Sequence, residues 1–146
     1  MKRPSWDEYF MEMAKLVATR STCLRRQVGA VIVKDKCIIS TGYNGARKKA
    51  AHCSEVGCIR EKLNIPSGQQ LDLCRAVHAE QNALIQAARY GISTEGAIIY
   101  VTVTPCFQCA KMLVNAGIKE VVVDGVYPDE RTLELFKEVG VNVRKI

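Results

Sequence analysis

Apolar residues recur along the chain with two periods, and the change from one period to the other predicts its elements. A spacing of three or four residues, as between Phe10, Met13 and Val17, is typical of an amphipathic helix, whereas the unbroken run 28–33 is typical of a buried strand. The predicted elements are a helix at about 5–19, a hairpin of strands at 28–33 and 37–40, a helix at 76–89, a strand at 97–103, a helix that begins at 104–105 and closes at Gly117, a strand at 121–124, a helix at 129–139 and an edge strand at 141–144. This order predicts an α/β fold, a three-layer sandwich in which a five-stranded mixed sheet has helices on both faces.

Two predicted helix starts carry candidate chemistry. His78 and Glu80 fall in the first turn of the helix at 76–89, and Cys106 and Cys109 fall in the first turn of the next helix, which Pro105 opens. Thiolates at a helix N-terminus have lowered pKa values and bind metal readily. The two helices therefore present histidine, carboxylate and thiol groups at their N-termini.

These residues form the pattern H-x-E…P-C-x-x-C, which is the signature of zinc nucleobase deaminases. His78, Cys106 and Cys109 are good zinc ligands, and three protein ligands leave a fourth position for water. Glu80 is suited to move protons beside that water. The alternative is a closed structural site with a fourth protein ligand, but that ligand would normally be another Cys or His.

The segment 46–75 has no convincing long helix. It contains a short helical piece around 52–58 and a break at 66–68, and about thirty such residues are long for a connection inside a compact domain. We expect one domain over 1–146, with this segment as an insertion. Cys23, Cys53, Cys58 and Cys74 flank or lie within the insertion and predict a second, structural zinc, for which His52 is a substitute ligand. The alternative is that they are small buried side chains.

Composition and net charge indicate the general class of the protein and of its partner, but they do not determine its function. The chain has 146 residues, 48% of them hydrophobic and 25% charged, as in a soluble globular protein. Neither a secretory signal nor a membrane span is evident, so the cytosol is the expected compartment and the seven cysteines are better explained as metal ligands than as disulfides. A net charge of +6 indicates an anionic partner, either a nucleotide phosphate or a polynucleotide.

Beyond the zinc signature, nearly the whole chain resembles the deoxycytidylate deaminase family. The resemblance lies in the segments 20–23, 27–30, 42–45, 78–83, 105–106, 109–111 and 116–119. It implies a cytidine deaminase-like fold, conversion of dCMP to dUMP, a homo-oligomer, often a hexamer, and activation by dCTP with inhibition by dTTP. Mg²⁺ would accompany a triphosphate effector.

The same resemblance assigns roles to individual residues. Asn44, in the predicted turn 42–45, would hold the deoxyribose, although the turn would also serve as a plain connection. Arg25, Arg26 and Tyr127 are expected to bind the phosphate, and Ala79 is also expected at the substrate. For Arg25 and Arg26 an ordinary solvated pair is the alternative, and Arg89 corresponds to a subunit or effector contact. The segment 46–51 departs from the expected Pro- and Gly-rich loop and carries three cations instead.

Two rival functions use the same zinc ligands. A deaminase acting on tRNA adenosine or single-stranded cytosine would fit the positive charge, but only 6% of residues are aromatic and no patch for stacking bases is evident. A zinc-braced interaction module would have no need for Glu80. The sequence leaves dCMP, dCTP and deoxycytidine as alternative substrates.

Overall fold

The computed structural model describes all 146 residues and is built on one five-stranded sheet. In chain order the elements are α1 (Trp6–Ala18), β1 (Gly29–Lys34), β2 (Cys37–Tyr43), β3 (Gly45–Ala46), α2 (Cys53–Val56), α3 (Ile59–Lys62), a 3₁₀ turn (Leu71–Leu73), β4 (Ala76–Val77), α4 (Ala79–Arg89), β5 (Ile98–Val101), α5 (Phe107–Asn115), β6 (Glu120–Val123), α6 (Glu130–Glu138) and β7 (Asn142–Lys145). The strand order is β2-β1-β5-β6-β7. β1 is antiparallel to β2 and β5, whereas β5, β6 and β7 are parallel, so the predicted mixed sheet is confirmed.

Helices cover both faces of the sheet, as predicted. On one face, α1 packs Phe10 and Met11 against β1, β5 and β6. On the other face, α4, α5 and α6 contribute Ala83, Leu113 and Phe136 to a larger core. The central strands are buried on both sides, which explains why their residues form unbroken apolar runs instead of alternating with polar ones.

Two glycines allow helices to approach the sheet closely. A Cβ at Gly42 on β2 would collide with the carbonyl oxygen of Ala79 and the amide of Ala83 in α4, and one at Gly29 would collide with α1. Ser40 also donates a hydrogen bond to the Ala83 carbonyl at 2.5 Å. The N-terminal turns of α4 are therefore fixed against β2 by direct backbone contact.

The hairpin is longer than the sequence predicted. β2 continues to Tyr43, whereas the prediction ended the strand at residue 40 and placed Gly42 and Tyr43 in a connection. Gly42 and Tyr43 pair with Ala30 and Gly29, so the hydrogen-bonded pairing of β1 and β2 extends beyond the apolar residues 37–39 that predicted the strand. The turn itself was placed correctly, with Asp35 and Lys36 both at positive φ.

A charged clamp ties α1 to the edge of the sheet. The Arg144 guanidinium donates to both carboxylate oxygens of Asp7, at 2.7 and 2.9 Å, and to Glu120 at 2.7 Å. Tyr100 donates its hydroxyl to Asp7 at 2.6 Å. These hydrogen bonds, chiefly that from Arg144, lower the pKa of Asp7.

The segment 47–75 contains only short helices, as predicted. Two arginine side chains hydrogen-bond to the backbone of this segment: Arg25 donates to the Ile65 carbonyl at 2.7 Å and Arg60 to the Gln69 carbonyl at 3.1 Å. β3 and β4 form a two-stranded ladder at its base, through Gly45–Val77 and Ala46–Ala76 pairs. None of the helices has the length and apolar character that crossing a bilayer requires.

Candidate active site

His78 lies at the N-cap of α4, and this corrects the sequence prediction. The predicted helix began at Ala76, but Ala76 and Val77 form β4 by pairing with β3, and the chain turns into the helix only after His78. The His78 amide donates to the side chain of Gln81 at 2.9 Å, which fixes the start of the helix. Since β4 and α4 are both anchored, the backbone on either side of the imidazole is held in place.

Cys106 occupies the matching position at the start of α5. Pro105 was predicted as the first helical residue with both cysteines inside the first turn, but the helix begins at Phe107 and Cys106 is its N-cap. The Cys106 sulfur accepts a hydrogen bond from the Cys109 amide at 3.4 Å, so the thiol itself caps the helix. Cys109 lies one turn on and is fully buried.

The three predicted ligands meet at one point. The Nδ1 atom of His78 lies 3.3 Å from the sulfur of Cys109 and 3.6 Å from that of Cys106, and the three ligand atoms all lie within 4.8 Å of one another. Tetrahedral zinc, with Zn–S near 2.3 Å and Zn–N near 2.0–2.1 Å, places sulfur and nitrogen ligands about 3.6 Å apart. The donor set and its spacing therefore fit a zinc ion.

Hydrogen bonds link the side chains of the three predicted ligands. Hydrogen bonds from Cys109 and His78 lower the pKa of Cys106 to about 4 against the effect of burial. The hydrogen bond with Cys106 raises the pKa of His78. The hydrogen bond between Cys106 and Cys109, together with burial, raises the pKa of Cys109. Metal binding would displace the protons of these hydrogen bonds, because zinc binds thiolate and neutral imidazole.

Glu80 is a buried carboxyl group beside this cluster. It lies in the first turn of α4 with 4% of its surface exposed. Burial raises the pKa of Glu80 to about 7, and the neighbouring His78 charge opposes that shift. A carboxyl group that titrates near neutrality is able both to accept and to release a proton.

A cavity of about 310 Å³ opens above the cluster. This volume lies at the lower end of the range for small-molecule sites, about 300–1,000 Å³. The residues singled out from the sequence that line it are His78, Ala79, Glu80, Cys106, Asn44, Arg25 and Arg26, together with Cys23 and Cys74 of the predicted second zinc site. The structure therefore brings the predicted chemistry and most of the predicted binding residues to one place.

Asn44 has a structural bond on each side of its amide. Its oxygen accepts from the Val28 amide at 2.8 Å, and its nitrogen donates to the Arg26 carbonyl at 2.8 Å. These bonds hold the chain that leads from Arg25 and Arg26 into β1. Asn44 thus shapes the cavity wall, and its expected contact with a sugar stays a prediction.

Two predicted residues lie away from the cavity. Tyr127 is 48% exposed on the loop between β6 and α6, with the Lys145 ammonium 5.5 Å from its ring. Arg89 lies on the outer face of α4 and lines a second cavity of about 400 Å³ together with Arg47 and Lys48. The structure does not bring Tyr127 to the cluster, and it places Arg89 beside the altered segment 46–51.

Arg60 is the one charged residue of the cavity wall that was not predicted from the sequence. It is 8% exposed, lies on α3 in the insertion and lines the cavity above the zinc ligands. A single arginine in a segment of irregular pattern gave no periodic signal. The unusual length of the insertion for a connection inside a compact domain was the one indication that it reaches the site.

The second group of cysteines also gathers, but less closely. Burial raises the pKa of Cys53, and the charges of Cys23, Cys74 and Cys58 raise it further. Unlike His78, Cys106 and Cys109, these cysteines do not form a group of three whose ligand atoms are close enough to hold a metal ion. His52 is exposed and its Nδ1 lies 3.2 Å from the hydroxyl of Thr22.

Comparison with known proteins agrees with this geometry. The model of the cytidine and deoxycytidylate deaminase zinc-binding region matches residues 4–124. A deoxycytidylate deaminase of Schizosaccharomyces pombe is 44% identical over 144 residues, and ComE operon protein 2 of Bacillus subtilis is 43% identical over 148 residues. These alignments cover 98% and 100% of this chain. The chain spans 44% of the length of the yeast relative and 74% of that of the Bacillus relative.

The fold agrees as well. A crystal structure of dCMP deaminase from the cyanophage S-TIM5, in complex with dCMP and dUMP, superposes with a TM-score of 0.80 at 30% identity, and all of both chains is covered. The chain therefore belongs to the family of cytidine and deoxycytidylate deaminases that share this zinc-binding region.

Proposed function

We propose that the chain catalyses the zinc-dependent hydrolytic deamination of dCMP to dUMP and ammonia. The observation that carries the proposal is the meeting of His78, Cys106 and Cys109 beside the buried carboxyl of Glu80, at the base of a cavity with a cationic wall. Relatives named deoxycytidylate deaminase at 40–44% identity support the choice of substrate.

The reaction needs a nucleophile and a proton carrier. Water adds to C4 of the cytosine ring and ammonia leaves, so the ring nitrogen must receive a proton first and the departing amino group another afterwards. When bound by His78, Cys106 and Cys109, zinc would lower the pKa of a water molecule and so supply a nucleophile at neutral pH.

Glu80 serves as the proton carrier. Its carboxylate accepts a proton from the attacking water and delivers it to the ring nitrogen. It then takes the proton of the hydroxyl group formed at C4 and passes it to the leaving amine, so that the C4 carbonyl forms as ammonia departs. Burial raises the pKa of Glu80, which suits a group that must both accept and release a proton. Ala79, between the two functional residues of α4, lines the cavity and is fixed by the contact of its carbonyl with Gly42.

The test is ammonia release from dCMP, dCTP, deoxycytidine and a cytosine-bearing single strand, measured side by side with zinc-loaded protein. Activity that favours dCMP supports the proposal. Activity that favours the strand, together with binding that weakens steeply with salt, would replace it with a polynucleotide deaminase. A cytosolic location stays a prediction.

A second zinc at Cys23, Cys53, Cys58 and Cys74 is part of the proposal. The charges of Cys23, Cys74 and Cys58 raise the pKa of Cys53, so the four thiols lie near one another, which supports it. The insertion around them has no long helix and would gain order from a metal. Zinc would draw the four sulfur atoms to the closer spacing of a tetrahedral site. Two zinc ions per chain by elemental analysis is the expected result, and His52 would substitute if one thiol stays free.

Assembly and regulation belong to the proposal too. We expect a homo-oligomer, most simply a hexamer, with dCTP or dTTP as effectors and Mg²⁺ bound to the triphosphate. The cavity lined by Arg89, Arg47 and Lys48 supports an effector site, because three cations at one cavity suit a triphosphate. Light scattering with and without each nucleotide tests the assembly, and activity at low dCMP tests the response.

A further inference from the structure

Arg60 is a buried cation without an acidic partner. Only 8% of it is exposed, and it takes part in none of the five ion pairs of the chain. Its Nη1 donates to the Gln69 carbonyl at 3.1 Å, while its Nε has no hydrogen-bond partner within the protein. Burying a charge in this way costs free energy unless an anion pairs with it.

The neighbouring arginines are better compensated or more exposed. Arg25 has Glu61 3.5 Å from its Nε and donates from Nη2 to the Ile65 carbonyl, which leaves its buried Nη1 without a partner. Arg26 lines the same cavity but is exposed to solvent. Arg60 is therefore the cavity's one buried cation with no carboxylate beside it, and Glu80 is the single acidic residue in the wall.

A site built in this way fits a small dianion. An arginine fork matches the oxygens of a phosphoryl group, and each charge-assisted hydrogen bond is about twice as strong as a neutral one. Resting on the function proposed above, we propose that Arg60 determines specificity for a phosphorylated substrate, by binding the 5′-phosphate of a nucleoside monophosphate whose base lies at Glu80. Arg25 contributes a second donor through its free Nη1.

The insertion thereby has a role in recognition. The sheet and the N-termini of α4 and α5 position the reacting end of the substrate, and α3 supplies the group that recognises the other end. A purely structural Arg60 would do no more than hold the backbone at Gln69. The two roles differ in what they do to substrates with and without phosphate.

The test compares Arg60→Gln with the wild-type protein on dCMP and on deoxycytidine. We expect KM for dCMP to rise about 10- to 100-fold, as for the loss of a hydrogen bond to a charged group, with kcat nearly unchanged and deoxycytidine turnover the same. We expect dUMP to raise the melting temperature of the wild-type protein but not that of Arg60→Gln. Arg3→Gln, which removes an exposed cation outside the cavity, is the matched control.

Other outcomes would overturn the inference. Equal losses on dCMP and deoxycytidine would show a structural brace, and unchanged KM for dCMP would show that the phosphate binds elsewhere. If Arg60→Gln fails to fold, Arg60→Lys keeps the charge without the fork and should still raise KM for dCMP alone. A wild-type protein that releases no ammonia from any cytosine nucleotide would contradict the proposed function instead, which separates the two failures.

Discussion

The two cysteine clusters of this chain differ in what holds them. His78, Cys106 and Cys109 lie at the starts of two helices packed on the sheet, and their ligand atoms are already within 4.8 Å. Cys23, Cys53, Cys58 and Cys74 lie on the loop after α1 and in or beside the short helices of the insertion, and no three of them form a group close enough to hold a metal ion.

The difference separates a preorganised site from one that a metal would have to complete. In the first cluster, packing and hydrogen bonds already position the ligands, so the metal is not needed to order the chain and its role is catalytic. In the second cluster, metal binding would be coupled to ordering of the insertion, as in small zinc-dependent domains. Loss of metal should therefore abolish turnover at the first cluster and mainly lower stability at the second.

The largest effect is expected from Cys109→Ser. This substitution removes a fully buried ligand and should lower ammonia release by at least about 100-fold, since even changes to groups behind a metal's ligands cost 10- to 100-fold. One zinc per chain should be lost. Elemental analysis and the ammonia assay check this, and retained turnover in a protein without that zinc would contradict it.

Cys58→Ser should have the opposite balance. We expect one zinc to be lost from the second cluster and the melting temperature to fall by about 5–10 °C, which corresponds to a few kcal/mol for a chain of this size. The kcat of the folded protein should change little. Unchanged zinc content would contradict the second site, whereas an equal fall in kcat and stability would make the clusters alike.

Gly42→Ala tests the packing that preorganises the first cluster. The added Cβ would collide with the backbone of α4 at Ala79 and Ala83, and overpacking of this kind costs about 3 kcal/mol. Displacement of α4 should lower kcat as well as stability. Gly45→Ala is the control, because its Cβ would meet only the Tyr43 ring at 3.6 Å. Equal unfolding free energies for the two variants would contradict this role of Gly42.

The smallest effect concerns the clamp between Asp7 and Arg144, which lies apart from both clusters. Because the folded state lowers the pKa of Asp7, its stabilisation is present above the unfolded value near 4 and is lost as the pH falls below it. Asp7→Asn should cost about 1 kcal/mol at pH 7, a modest value for a partly exposed pair, and nearly nothing at pH 2. Denaturant unfolding at the two pH values measures it; a constant difference would contradict the prediction.

The sequence predicted most of this fold because its elements carry periodic signals. Unbroken apolar runs located β1, β5 and β6, and the helical spacing of Phe10, Met13 and Val17 located α1. The starts of α4 and α5 were misplaced by two or three residues, because backbone pairing at Ala76 and capping by the Cys106 thiol leave no mark in residue periodicity.

The site was predicted where spacing alone determines proximity. His78 and Glu80 are two residues apart, and Cys106 and Cys109 are one turn apart, so local geometry brings each pair together. Arg60 reaches the cavity only through the tertiary arrangement of the insertion, and no local pattern encodes that path. Tyr127 was assigned by resemblance, and the course of the β6–α6 loop places it elsewhere.

The most direct test of the proposed chemistry is the Glu80→Gln variant, assayed for bound zinc and for ammonia release from dCMP. Glutamine keeps the shape of the buried side chain, but its amide neither accepts nor releases a proton near neutral pH, so turnover should fall about 10²- to 10⁴-fold while zinc content stays that of the wild-type protein. Turnover close to wild type with zinc retained would contradict the role of Glu80 as the proton carrier.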